Sequence, residues 1–161
     1  RFRSIAIGLL ILLCLQVTYG AFTSGMKAGY GYNTYPKMGD DWVPEALFGL
    51  SPFWQNLVSD KFSVQFIHRW LGTVLTLSTI CMGWFAIRSG SMNGLQTRRL
   101  YCLLALVLTQ FSLGVFTLLF LVNVPVLLPV VHQLVALFLF AAFLAFVHSL
   151  GKSSTSVPQV A

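Results

Sequence analysis

Three histidines, His68, His132 and His148, are the residues of this 161-residue chain whose chemistry conflicts most with their surroundings. Each sits in a long apolar run. An ionisable side chain placed there needs a partner or a task, because burying it alone in lipid is costly. Imidazole can ligate a metal or relay a proton. His68 comes six residues after Phe62 and His132 six residues after Val126, the points where two of these runs begin. On a helix both would lie roughly 9 Å inside. His148 stands sixteen residues beyond His132, roughly 24 Å further along. It has no partner at its level and reads as an interfacial histidine.

The elements that must position these side chains follow from composition. Hydrophobic residues make up 57% of the chain and charged residues 9%, against roughly 25% charged in ordinary soluble domains. So few charges cannot cover a water-soluble surface. The apolar residues form four runs, about 4–22, 62–87, 100–122 and 126–150, each near the ~20 residues that cross a bilayer as a helix. The expected fold class is all-α: one four-helix transmembrane domain over 1–161. A cleaved secretion signal is the alternative for the first run, since Arg1 and Arg3 precede its apolar core. The chain opens on Arg rather than Met and is expected to be part of a longer or processed polypeptide.

The formal charge of +6 does not gather into a patch that would bind nucleic acid. Arg1, Arg3, Arg88, Arg98, Arg99 and Lys152 flank the apolar runs instead, as orientation signals do. All four acidic residues, Asp40, Asp41, Glu45 and Asp60, lie in the connection 23–61, where a solvated surface role is the default. Both ends and the 88–99 loop are therefore expected in the cytoplasm or matrix, with the long connection outside. Cys14, Cys81 and Cys102 show no disulfide or zinc spacing and are expected to be buried small hydrophobes.

The long connection carries Gly25, Gly29, Gly31, Pro36, Gly39, Pro44 and Pro52 among Tyr30, Tyr32, Tyr35, Trp42 and Trp54. Such a stretch should fold as structured turns, its aromatics at the headgroup boundary. It reads as a lid on the bundle. The first and third runs also share a motif. Gln16-Val-Thr-Tyr-Gly20-Ala-Phe22-Thr23 and Gln110-Phe-Ser-Leu-Gly114-Val-Phe116-Thr117 both read Q-x-x-x-G-x-F-T. Each precedes an outer connection and a descending run that holds one histidine. Two hairpins repeated in the same direction imply a pseudo-twofold axis along the membrane normal. That axis would bring His68 and His132 onto one central object.

Two imidazoles with no thiolate or carboxylate at their level make a poor zinc site. Haem iron needs two axial ligands, since the porphyrin supplies four. A stripe of small and polar residues on the second run, Gln65, His68, Gly72, Thr76, Thr79 and Gly83, would admit a flat group, as would Gly114, Thr117 and Ala136. Close helix packing uses the same stripes. Arg69, Lys27 and Lys61 are the outer cations able to meet haem propionates, Arg69 foremost, with snorkelling to headgroups as its alternative.

Taken together, Gly20 to Pro44, Val64-Gln-Phe-Ile-His-Arg69, Gln110 to Leu119 and the pair His132-Gln133 resemble the C-terminal half of the haem A synthase (CtaA/COX15) family. The resemblance covers nearly the whole chain. It implies an eight-helix membrane protein of two four-helix halves that oxidises a methyl of haem O to the formyl of haem A for cytochrome c oxidase assembly, in the bacterial inner or mitochondrial inner membrane. It further implies that His68 and His132 ligate a haem b cofactor, while the N-terminal half handles the substrate haem with an acidic residue implicated in catalysis. Haem O synthase and an electron acceptor are further implied partners, besides the N-terminal half and membrane lipid. Some members carry a cysteine pair in the outer loop of this half; this chain has none there. Iron with histidine on both faces has no open position, which suits electron transfer better than oxygen activation. No residue here is expected to be a catalytic acid or base. The rival readings are a membrane cytochrome b of another family and a transporter or assembly fragment without haem.

Overall fold

The computed structural model describes residues 2–151; Arg1 and Lys152, two of the flanking cations, lie outside them. The helices are α1 (Phe2–Gly25), α2 (Gln55–Val58), α3 (Lys61–Arg88), α4 (Gly94–Phe120) and α5 (Leu127–Gly151). Apart from the short α2, each is long and apolar enough to cross a membrane. The chain is an all-α integral membrane protein.

Local chemistry explains where these helices start. Asp60 caps α3, its carboxylate accepting from the backbone N–H groups of Phe62 and Ser63. This acidic residue is therefore a helix cap as well as a loop charge. α4 begins six residues before the expected Leu100. Asn93 Oδ1 accepts from Gln96 N at 3.0 Å and Gln96 Oε1 accepts from Asn93 N at 3.0 Å, a reciprocal capping box. The Asn-x-x-Gln signal stood in the sequence, but the arginines beside it read as a loop. The extra turn has a use. Gln96 Nε2 donates to Ser149 O and Arg99 Nη1 to Ala145 O, both at 2.9 Å, so the start of α4 ties down the end of α5. A cation there also meets the negative end of the α5 dipole.

Packing gives a ring of four. α1 lies against α3 and α5, and α4 lies against the same two. The histidine-bearing helices α3 and α5 thus occupy opposite corners. The core fills the end of the bundle away from the long connection. It comprises Ala6, Leu9 and Leu13 of α1, Leu75, Met82 and Ala86 of α3, Leu100, Leu103 and Val107 of α4, and Leu139, Phe143 and Phe146 of α5. α1 contributes to this core, so within this fold it acts as a structural helix of the bundle. On α3, Gly83 allows Leu104 of α4 to approach to 3.0 Å of where a Cβ would stand; that part of the small-residue stripe serves helix packing.

The cysteines are placed otherwise than expected. Cys14, Cys81 and Cys102 are all exposed on the bundle's outside rather than buried. A helix with apolar residues all round does not reveal which side faces its neighbours. These thiols lie on the surface available to lipid.

Candidate functional site

The other half of the bundle, beneath the long connection, is built from polar groups. His68 lies two turns into α3 and His132 in the second turn of α5. Both imidazoles rest on glycines from the neighbouring helix. A Cβ on Gly20 would stand 3.1 Å from His68 Cε1, and one on Gly114 would stand 3.1 Å from His132 Cε1. These are the two glycines of the repeated motif. The repeat seen in one dimension is thus a repeated contact in three: α1 presents its glycine to His68, and α4 presents its glycine to His132. Any side chain at either position would press on the ring.

The glutamines of the motif lie one turn deeper. Gln110 Nε2 donates to His132 Nε2 at 3.4 Å. Gln16 Nε2 reaches to 2.9 Å of where a Cβ on Gly72 would be, one turn below His68. Neither glutamine was singled out by chemistry in the sequence; their place in the repeat was the signal that could have found them.

Among the described residues, the buried side-chain polar atoms without a hydrogen-bond partner are Gln16 Oε1, Gln65 Oε1, His68 Nδ1, Arg69 Nε, Gln110 Oε1, Thr117 Oγ1 and His132 Nδ1. Every one lies in this half of the bundle. An unmade buried hydrogen bond costs about 1–3 kcal/mol, so such a concentration in one place calls for a cause. No group of three or more His, Cys, Asp or Glu side chains comes together among these residues. Two imidazoles on opposite corners with no third protein ligand suit a group that brings its own equatorial ligands. The donor set, the glycine cradles and the orphaned atoms all fit a haem.

Gln65 and Arg69 both reach the long connection. Gln65 Nε2 donates to Tyr32 O at 2.7 Å. The Arg69 guanidinium donates to Thr34 O at 2.7 Å, to Lys37 O at 3.2 Å and to Tyr32 O. Its terminal nitrogens are thereby committed to the long connection, leaving Nε unpartnered. Two residues flanking the histidine position pin the lid by its backbone. Tyr32 packs edge-on against Phe62, and Tyr35 edge-on against Phe111 of α4, so the lid touches both sides of the site. Lys27 is exposed, and so is Lys61, whose ammonium lies 4.9 Å over the Phe62 ring. Gln133, beside His132, points outward and is exposed. His148 is exposed at the far end of α5, where it borders a cleft with Arg3, Leu144, Val147 and Gly151.

With this geometry in place, the comparisons are decisive on kinship. The family model described as cytochrome oxidase assembly protein, COX15-CtaA, matches residues 1–144. The chain belongs to this family. Among its relatives is the heme A synthase of Wolbachia pipientis wMel, 38% identical over 149 residues, covering 92% of this chain and 39% of that protein. The heme A synthase of Rhizorhabdus wittichii is 33% identical over 156 residues, covering 97% and 43%. That of Flavobacterium johnsoniae is 35% identical over 152 residues, covering 93% and 44%. The chain spans about two fifths of the length of the curated relatives it matches. No solved structure matches it.

Proposed function

We propose that this COX15-CtaA family chain is the haem b-holding half of a haem A synthase, an oxidoreductase converting the methyl group of haem O to the formyl of haem A. The observation that carries this reading is the doubled contact: two imidazoles on diagonal helices, each seated on the glycine of the same repeated motif, amid unpartnered polar atoms.

In this reading His68 and His132 are the residues that would hold the haem. Such a group, when bound, would supply one-electron redox chemistry. The chain's part is to fix the two rings at one depth, since the glycine contacts leave them little freedom to turn. The close-packed apolar core below excludes water from that side. Gln65 and Arg69 hold the lid closed above. The methyl oxidation is assigned in this reading to the full-length protein, of which this chain spans about two fifths in the relatives it matches. The long connection and the charge pattern support an orientation with the lid outside and the 88–99 loop within.

The test uses the full-length protein, purified from cells with adequate haem. A low-spin spectrum is expected, together with haem A among the pigments extracted from cells that make haem O. A spectrum without low-spin haem would favour a transporter or assembly role. Bound haem without any haem A formed would favour a cytochrome b of another kind.

A further inference from the structure

Both glutamines of the repeated motif are left with an unanswered carbonyl oxygen beside an imidazole that is left with an unanswered nitrogen. We propose that Gln16 and Gln110 are positioning residues, one per repeat, whose side-chain amides hydrogen-bond His68 and His132 and set how strongly each ring donates to a metal. The assignment rests on the haem-holding reading above.

The argument begins with helix spacing. Residues four apart lie on one helix face, about 6 Å from each other. Gly20 touches His68 and Gly114 touches His132, so the residue four before each glycine borders the same ring on its deeper side. That residue is Gln16 in one repeat and Gln110 in the other. In the second repeat an amide contact is made at the other ring nitrogen: Gln110 Nε2 lies 3.4 Å from His132 Nε2, while Gln110 Oε1 and His132 Nδ1 stay unpartnered. In the first, the Gln16 amide lies against Gly72, four residues after His68, where a Cβ would stand only 2.9 Å away. The matching position after His132 is Ala136, again small. Room for Gln16 is thus kept on α3, and a small residue stands at the matching place on α5.

The chemistry follows from what each group lacks. An imidazole that gives one nitrogen to a metal carries a proton on the other, and that N–H needs an acceptor. Such acceptors fix the ring's orientation and raise its donor strength. A glutamine amide can present either its NH2 or its oxygen by turning about its last bond. The same side chain can therefore donate to a free ring and accept from a ligated one. Space-filling alone would be served as well by leucine, and would not require an amide at the same place in both repeats.

The experiment is a redox titration and low-temperature paramagnetic resonance of the full-length protein and of Gln16→Leu, Gln110→Leu, Gln16→Glu and Gln110→Glu. The leucine variants are expected to keep their fold, shift the low-spin signal and raise the haem b midpoint potential. The glutamate variants, with a stronger acceptor, are expected to lower it. Loss of haem from the leucine variant but not from the glutamate variant supports the assignment equally. It is overturned if the leucine variants hold haem with unchanged potential and resonance. Loss of haem from leucine and glutamate variants alike also overturns it, since glutamate keeps the acceptor. A wild-type protein without low-spin haem overturns the haem-holding reading itself, and shows before any variant is made.

Discussion

Gly20 and Gly114 are the residues whose replacement tests the site most sharply. Their contacts with His68 and His132 have the same length, so the two repeats should respond alike. Leucine at either position has to displace an imidazole from a packed interior, and overpacking of this kind typically costs about 1–3 kcal/mol. Gly20→Leu and Gly114→Leu are each expected to lose most bound haem, as are His68→Ala and His132→Ala. His148→Ala is expected to keep it, because His148 is exposed at the opposite end of the bundle. Pigment per protein, from the ratio of haem to aromatic absorbance, checks all five. Equal spectra throughout would show that the ligands lie elsewhere.

At the level of elements, the lid and the α4 cap carry separate predictions. Arg69 is the lid's main clamp, its fork reaching three backbone carbonyls. Lysine cannot reproduce a planar fork. Arg69→Lys and Arg69→Leu should therefore both free the segment around Thr34 to Lys37, seen as faster tryptic cleavage at Lys37 in detergent. Cleavage no faster than in the parent protein would remove the clamp from consideration. The capping box of α4 predicts a smaller effect: Asn93→Ala should lower stability by about 1 kcal/mol, read from the midpoint of thermal unfolding. Asn93→Asp should retain most of it, since a carboxylate also accepts from the N3 backbone.

For the whole molecule, the sorting of charge along the chain predicts how it lies in the membrane. All four acids fall in the connection 23–61, while Arg88, Arg98 and Arg99 gather at the opposite end of the helices. With Cys14, Cys81 and Cys102 replaced by alanine, a cysteine at Asp40 should react with an impermeant maleimide added outside. A cysteine at Ser91 should react only after the membrane is opened. The reverse pattern would invert the proposed orientation and put the lid on the inner face.

The number of apolar spans was legible from the residues alone, because lipid imposes a length and an apolar composition that sequence displays directly. The Q-x-x-x-G-x-F-T repeat was legible too, as was the small-residue stripe on α3. What the tertiary structure decided was which side of each helix meets which neighbour. Helices apolar on every side conceal that choice, so Cys14, Cys81 and Cys102 turned out to face outward, and the repeated glycines became ring cradles rather than general spacers. The contacts of Arg69 with the lid were hidden for another reason: they are made to backbone carbonyls some 35 residues away, and backbone carries no signature in sequence.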